Sequence, residues 1–344
     1  MTYLGPGSQR NFRRTCKQLE AGSRYHFAPR YFTNIVIKLD STGLVRLENM
    51  PSSFINSTVQ HLEFLVVPLP ASDIHIRRLD DPKNGAALNS LSNLRSMCVH
   101  LQGPLVYNSS IQLHAFRAFL KAISEIQSPT FDRLELRGHL ELCFKGAKPT
   151  DYTSLFEALT SVEEQMRSLK ELKMTLRSNL NGYTEKDLDN SRRVIQQLVA
   201  ICPQLLTINL RIGPAQTVRN IDRLLSNTHL RQLKHLDLNL RHASIQPLQT
   251  FLLKHWPTLK TIRLADVALN GGTWVKFLAW ALSILESAWE KTMLESIELI
   301  HAKDTSCDGV VSVKWPERYV VTHNGLAKTT FGYSNIHYLS LIHI

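Results

Sequence analysis

Residues 230–241 read Leu-Arg-Gln-Leu-Lys-His-Leu-Asp-Leu-Asn-Leu-Arg. Leu233, Leu236 and Leu238 form an apolar-x-x-apolar-x-apolar pattern. Its last two members stand two residues apart, the period of a strand whose alternate side chains point to opposite faces. The same spacing recurs at Val59/Leu62/Phe64, Leu94/Met97/Val99, Phe131/Leu134/Leu136, Leu169/Leu172/Met174 and Leu205/Ile208/Leu210. It returns at Leu259/Ile262/Leu264, Leu294/Ile297/Leu299 and Ile336/Leu339/Leu341. The central residues are 35, 37, 38, 36, 28, 26, 35 and 42 positions apart. One match arises readily by chance. Nine at a quasi-regular interval make a repeat.

The segments between these motifs have helical spacing. Residues 113–127 place Leu113, Phe116, Leu120, Ile123 and Ile126 on one face, and residues 153–166 do the same with Leu155, Phe156, Leu159, Val162 and Met166. Thr184-Glu-Lys-Asp187 reads as a helix start, with a hydroxyl cap and acids in the first turn. Further helices are expected at 217–226, 245–255 and 273–289. Asn-Gly pairs at 84–85, 181–182, 270–271 and 324–325 are expected turns. A short strand alternating with an amphipathic helix implies parallel strands, since the helix carries the chain back. The expected class is therefore α/β. An ordinary α/β domain with leucine-rich strands would also fit the pattern.

At this period, LSNLRSMCVHL, MRSLKELKMTLRS, CPQLLTINLRIG, LRQLKHLDLNLR and WPTLKTIRLADVAL resemble degenerate leucine-rich repeats of the long, irregular intracellular type. The Asn or Cys that usually follows the strand is mostly missing. The resemblance implies a solenoid over residues 41–344, with about nine irregular repeats.

Residues 8–38 differ in kind. Phe12-Arg-Arg-Thr-Cys-Lys-Gln-Leu19 has helical spacing, Tyr25 and Phe27 follow, and Ile35-Val-Ile37 reads as a strand. This order resembles the C-terminal half of an F-box of the kind that precedes leucine-rich repeats in many fungal proteins. The family's leucine-proline start and leucine-rich first helix are missing; only Tyr3-Leu4-Gly5-Pro6 stands where that helix would end. The resemblance implies a partial F-box module at 1–40. Its contact with a Skp-type adaptor of a cullin–RING ubiquitin ligase would run through Leu4, Phe12, Cys16 and Leu19. A basic helix capping the solenoid is the alternative. The abrupt start and the end at Ile344, just past the ninth motif, are expected of a product shortened at both ends.

Composition narrows the function. The chain has 344 residues, 43% hydrophobic and 20% charged, which fits an ordered protein. MTYLGPGSQRNFRR contains no apolar signal core, so an intracellular location, cytoplasmic or nuclear, is expected. Two glycosylation sequons, at Asn56 and Asn108, are read as chance matches. The most apolar stretch, Trp274 to Trp289, is broken by Lys276 and Glu286 and is too short for a span of about 20 apolar residues, so no membrane partner is expected.

The five cysteines (16, 98, 143, 202 and 307) never form CxxC and read as reduced thiols, with Cys16, Cys98 and Cys202 expected as buried structural ones. The densest histidine group, His229, His235 and His242, lacks zinc-ligand spacing. No phosphate-binding glycine loop or nucleophile elbow occurs. No catalytic residue, cofactor or metal is therefore assigned. Net charge is +11, but Arg10, Arg13, Arg14, Lys17, Arg24, Arg30 and Lys38 against Glu20 place +6 of it in residues 1–38. The repeats carry mixed signs, so nucleic acid is not the expected partner.

If the motif residues face the core, those between and beside them face the concave sheet. Between the last two apolar residues these are Glu63, Cys98, Glu135, Lys173, Asn209, Asp237, Arg263, Glu298 and Ser340. On the C-terminal side come Leu65, His100, Arg137, Thr175, Arg211, Asn239, Ala265, Ile300 and Ile342. Arg137, Lys173, Arg211, Asp237 and Arg263 are the candidate anchors for a target protein. The aromatics Trp256, Trp274, Trp280 and Trp289 are expected in the helix core.

Overall fold

The computed structural model describes residues 32–50, 56–66, 81–101, 109–138, 149–176, 184–212, 218–287, 293–305, 312–314 and 318–322. The adaptor candidates Leu4, Phe12, Cys16 and Leu19 lie outside these residues, as do the ninth motif, Trp289 and the Asn-Gly pairs at 181–182 and 324–325. The fold is α/β, with parallel strands alternating with helices, in two compact units. None of the described helices is long and apolar enough to cross a membrane.

The first unit, residues 1–138 with 147–169, contains β1 (Asn34–Lys38), α1 (Ser41–Glu48), β2 (His61–Val66), α2 (Pro82–Asn89) and β3 (Ser96–Leu101). It continues with α3 (Ser109–Ser124), β4 (Arg133–Gly138), α4 (Pro149–Ser161) and α5 (Glu163–Met166). Strands β1 to β4 pair in chain order, all parallel. Asp40 caps α1 by accepting from Gly43 N at 2.8 Å. A Cβ on Gly43 would collide with the Lys38 carbonyl oxygen, which is why a glycine stands there.

The Asn84-Gly85 pair corrects an expectation: it lies inside α2. Asp81 caps that helix by accepting from Lys83 N at 3.0 Å, Pro82 opens it, and Ala87 and Leu88 bury its inner face. These start signals outweigh the turn preference of Asn-Gly. The helix expected over 153–166 is interrupted after Ser161. Its apolar residues Leu155, Leu159, Val162 and Met166 are buried all the same. Phe64 and Phe119 meet edge to face at 6.2 Å, with no more than 1% exposed.

The second unit, residues 139–146 with 170–344, contains β5 (Glu171–Leu176), α6 (Glu185–Ala200), β6 (Thr207–Ile212), α7 (Val218–Asn227) and β7 (His235–Leu240). Then come β8 (His242–Ser244), α8 (Ile245–His255), β9 (Thr261–Ala265), β10 (Ala268–Asn270) and α9 (Trp274–Ser287). The described part closes with β11 (Ser296–Ile300), β12 (Lys303–Thr305), β13 (Ser312–Lys314) and β14 (Arg318–Thr322). The order β5-β6-β7-β9-β11 is parallel, and β14 adds to it antiparallel. The short strands β13-β12-β10-β8 form a second sheet that the sequence pattern did not announce.

The start of α6 is a full capping box. Thr184 Oγ1 accepts from Asp187 N at 3.2 Å, and Asp187 Oδ2 accepts from Thr184 N at 3.0 Å. Asn270 ends β10 and Gly271, at φ 72°, opens the bend that follows. Trp256 and Trp274 are buried, and Trp280 packs on Trp256 at 5.9 Å. His255 is 1% exposed: its Nε2 accepts from Leu230 N at 2.9 Å, and its Nδ1–H donates to Phe251 O at 2.7 Å.

Eight of the nine motifs fall on β2–β7, β9 and β11, with their apolar residues buried. Successive strands are locked by a recurring rung, in which the carbonyl just before one strand accepts two amides at the start of the next. Thr33 O takes Gln60 N and His61 N, Gln60 O takes Arg95 N and Ser96 N, and Arg95 O takes Asp132 N and Arg133 N. In the second unit Lys170 O takes Leu206 N and Thr207 N, and Leu206 O takes Lys234 N and His235 N. Lys234 O then takes Lys260 N and Thr261 N, and Lys260 O takes Glu295 N and Ser296 N.

Candidate protein-interaction face

Because strand side chains alternate, each sheet buries its motif residues on one face and presents the rest on the other. The parallel register then lines up equivalent positions from strand to strand. In the second unit this makes three rows. The first is Glu171, Thr207, His235, Thr261 and Ser296. The second is Lys173, Asn209, Asp237, Arg263 and Glu298; the third is Thr175, Arg211, Asn239, Ala265 and Ile300, of which Ala265 is buried rather than presented.

The middle row is a connected polar network. Asn209 Nδ2 donates to Asp237 Oδ2 at 2.7 Å, and Arg263 Nη1 donates to the same oxygen at 2.9 Å. Arg263 Nε lies 3.6 Å from Glu298 Oε2. Asp237 Oδ1 is buried without a hydrogen-bond partner among the described residues. Lys173 Nζ pairs with Glu171 Oε1 at 2.9 Å. Arg211 is exposed and forms no ion pair among the described residues. In the first row His235 Nδ1 and Thr261 Oγ1 are 3.0 Å apart.

In the first unit the rows are shorter. Arg137 forks onto Glu135, with Nε to Oε1 at 2.7 Å and Nη2 to Oε2 at 2.9 Å. That bond pushes the guanidinium still further from deprotonation. His61 Nδ1 is 2.6 Å from Ser96 Oγ, and burial, with Arg133 and Arg95 nearby, lowers the pKa of the ring. Cys98 stands between Glu63 and Glu135, half-buried on this face rather than in the core. Burial pushes its thiol up to about 12. Cys202 is the buried thiol: its Sγ–H donates to Leu198 O at 3.1 Å, and burial raises it to about 12 as well.

Of the five sequence-named anchors, Asp237 and Arg263 are joined directly, while Arg137 and Lys173 are each held by a carboxylate two residues earlier on their own strand. Arg211 stands apart. Sequence reasoning placed Asn209 and Glu298 on this face without recognising that they complete the network.

It also missed a pair at the strand ends. Asp266 Oδ2 accepts from Asn239 Nδ2 at 2.7 Å, and Asp266 Oδ1 lies 3.1 Å from His301 Nδ1. Both residues have positive φ, 56° and 48°. Each stands two positions after the last leucine of its motif, and that shared offset was the available signal. Among the described residues no group of three or more His, Cys, Asp or Glu side chains is placed to hold a metal ion. No family model matches the sequence, and no curated protein matches it significantly.

Proposed function

We propose that this chain is a protein-binding module of the leucine-rich-repeat solenoid type, which holds a target protein on the open face of its sheet. The observation that carries this is the in-register network Asn209–Asp237–Arg263–Glu298. Charges already fixed against one another lose little side-chain entropy when a partner covers them, and they impose a defined complementary pattern. Arg211 and Lys173 frame that face as further anchors, and Arg137 is a candidate anchor on the first unit's own sheet. By its F-box-like residues 8–38, the module serves as an intracellular substrate receptor that brings its target to a cullin–RING ubiquitin ligase through a Skp-type adaptor.

The test is affinity capture of the full chain from its native cells, in the wild type and in Arg211→Glu/Arg263→Glu. The reading expects a protein captured by the wild type and lost from the variant, with a Skp-type adaptor retained by both. An adaptor absent from both captures, with the target still lost from the variant, removes the ligase role and leaves a ubiquitin-independent scaffold. Identical captures sink the binding face.

A further inference from the structure

A second charged site lies on the helix layer of the second unit, among residues of α6 and α7. Asp189 gathers three guanidinium groups. Arg192 reaches Oδ1 with Nη2 at 2.7 Å and Nε at 3.2 Å, Arg223 Nη1 reaches the same oxygen at 3.5 Å, and Arg193 Nε reaches Oδ2 at 3.2 Å. Together they hold the Asp189 carboxyl below its ordinary range, chiefly through the Arg192 hydrogen bond.

Arg192 alone would neutralise Asp189. It is buried, and its remaining Nη1 donates to Gln196 Oε1 at 2.6 Å. Gln196 Nε2 in turn donates to Arg223 O at 3.1 Å, which ties α6 to α7 beneath the cluster. Arg193 and Arg223 are surplus to that pairing. Their side chains are 62% and 42% exposed, and each touches Asp189 through one nitrogen. Two neighbouring carboxylates are engaged elsewhere: Asp187 caps α6, and Asp222 Oδ1 accepts from Ser244 N at 3.0 Å. Glu185 is the remaining acid of this stretch, exposed in the first turn of α6.

Three guanidiniums around one carboxylate leave two positive charges, aimed outward from a preorganised base. A phosphoryl group on a side chain carries about −1.5 to −2 near neutral pH and offers three acceptor oxygens, which matches both the charge and the forked donors. A polyanion is a poorer fit, because its affinity grows with the number of phosphates neutralised and this site supplies two spare cations. We propose that Arg193 and Arg223, seated on Asp189 and Arg192, form a docking site for a phosphorylated side chain of a partner protein. This site is separate from the open sheet face.

The experiment uses the full chain and a fluorescein-labelled phosphoserine peptide, with its unphosphorylated counterpart, followed by anisotropy at fixed ionic strength. The phosphopeptide is expected to bind at least about tenfold more tightly than the serine peptide. Arg193→Gln/Arg223→Gln abolishes that preference, while Arg46→Gln, at an exposed cation of the first unit, leaves it intact. A purely structural ion-pair cluster gives no phosphate preference. Equal affinity for the two peptides, an unchanged preference in the double variant, or displacement by a single-stranded oligonucleotide with a steep salt slope would each overturn the proposal.

Discussion

Replacing His255 with phenylalanine tests the packing of the second unit at one defined atom. The ring contributes as a neutral imidazole: Leu230 N–H donates to Nε2, so that nitrogen must be unprotonated, while Nδ1–H serves Phe251 O. Burial lowers its pKa from 6.5, with His229 and Lys254 adding to the shift and the Phe251 carbonyl opposing it. Phenylalanine keeps a ring against Phe251, 4.4 Å away between centroids, and His229, 5.7 Å away. It leaves the Leu230 amide buried and unpaired. Such an orphan costs about 1–3 kcal/mol, so amide exchange at Leu230 should accelerate roughly five- to 150-fold.

The pH dependence has a definite sign. A histidine with a depressed folded pKa takes up its proton more readily in the unfolded chain, so its stabilising effect is complete above about pH 6.5. It is lost as pH falls from 6.5 toward the folded pKa, at no more than about 1.4 kcal/mol per pH unit. Urea unfolding of wild type and His255→Phe at pH 7.5, 6.5 and 5.5 reads this contribution, because histidines remote from residue 255 cancel in the difference. The gap between the two proteins should narrow on acidification. Parallel pH profiles, or an unchanged exchange rate at Leu230, would refute the reasoning.

Three further outcomes are expected. Thr184→Ala removes the reciprocal cap of α6 and should cost about 0.5–2 kcal/mol in urea unfolding; Thr184→Ser should recover most of it. Gly43→Ala places a methyl group on the Lys38 carbonyl and should destabilise the β1–α1 turn by more than the ~1 kcal/mol that helix propensity alone would return, read from the exchange of Leu44 N. Cys98 and Cys202, both with thiols raised to about 12, should resist iodoacetamide at pH 8 in the native chain and react fully once it is unfolded, as followed by peptide mass spectrometry.

The strands were legible because burial imposes a strict period on them. Leu236 and Leu238 can lie on one face only if the chain between them is extended, and burial on that face selects apolar residues. The cap at Thr184 was legible because its chemistry is local. What escaped depended on register. That Asp237 meets Arg263 follows from β7 and β9 starting level with each other, a relation between residues 26 positions apart that no local window contains. Strands β8, β10 and β12 are three residues long, too short to show a period. Asn84-Gly85 misled because a capped start at Asp81 and buried Leu88 outvoted a two-residue turn preference.

The carbonyl rungs bear on how such a chain can diverge. Each one ties the residue before a strand to the start of the next and holds the register there. Whatever lies between can lengthen or shorten, as intervals from 26 to 38 residues between the described motifs attest. A deletion in a connecting loop leaves every row of the open face aligned. A single residue lost between Lys234 and Leu236 would turn a whole strand inside out. Insertions and deletions should therefore accumulate in the loops and be purged from windows of about six residues around each rung, and fusion tags or reporter peptides belong in the first place and not the second.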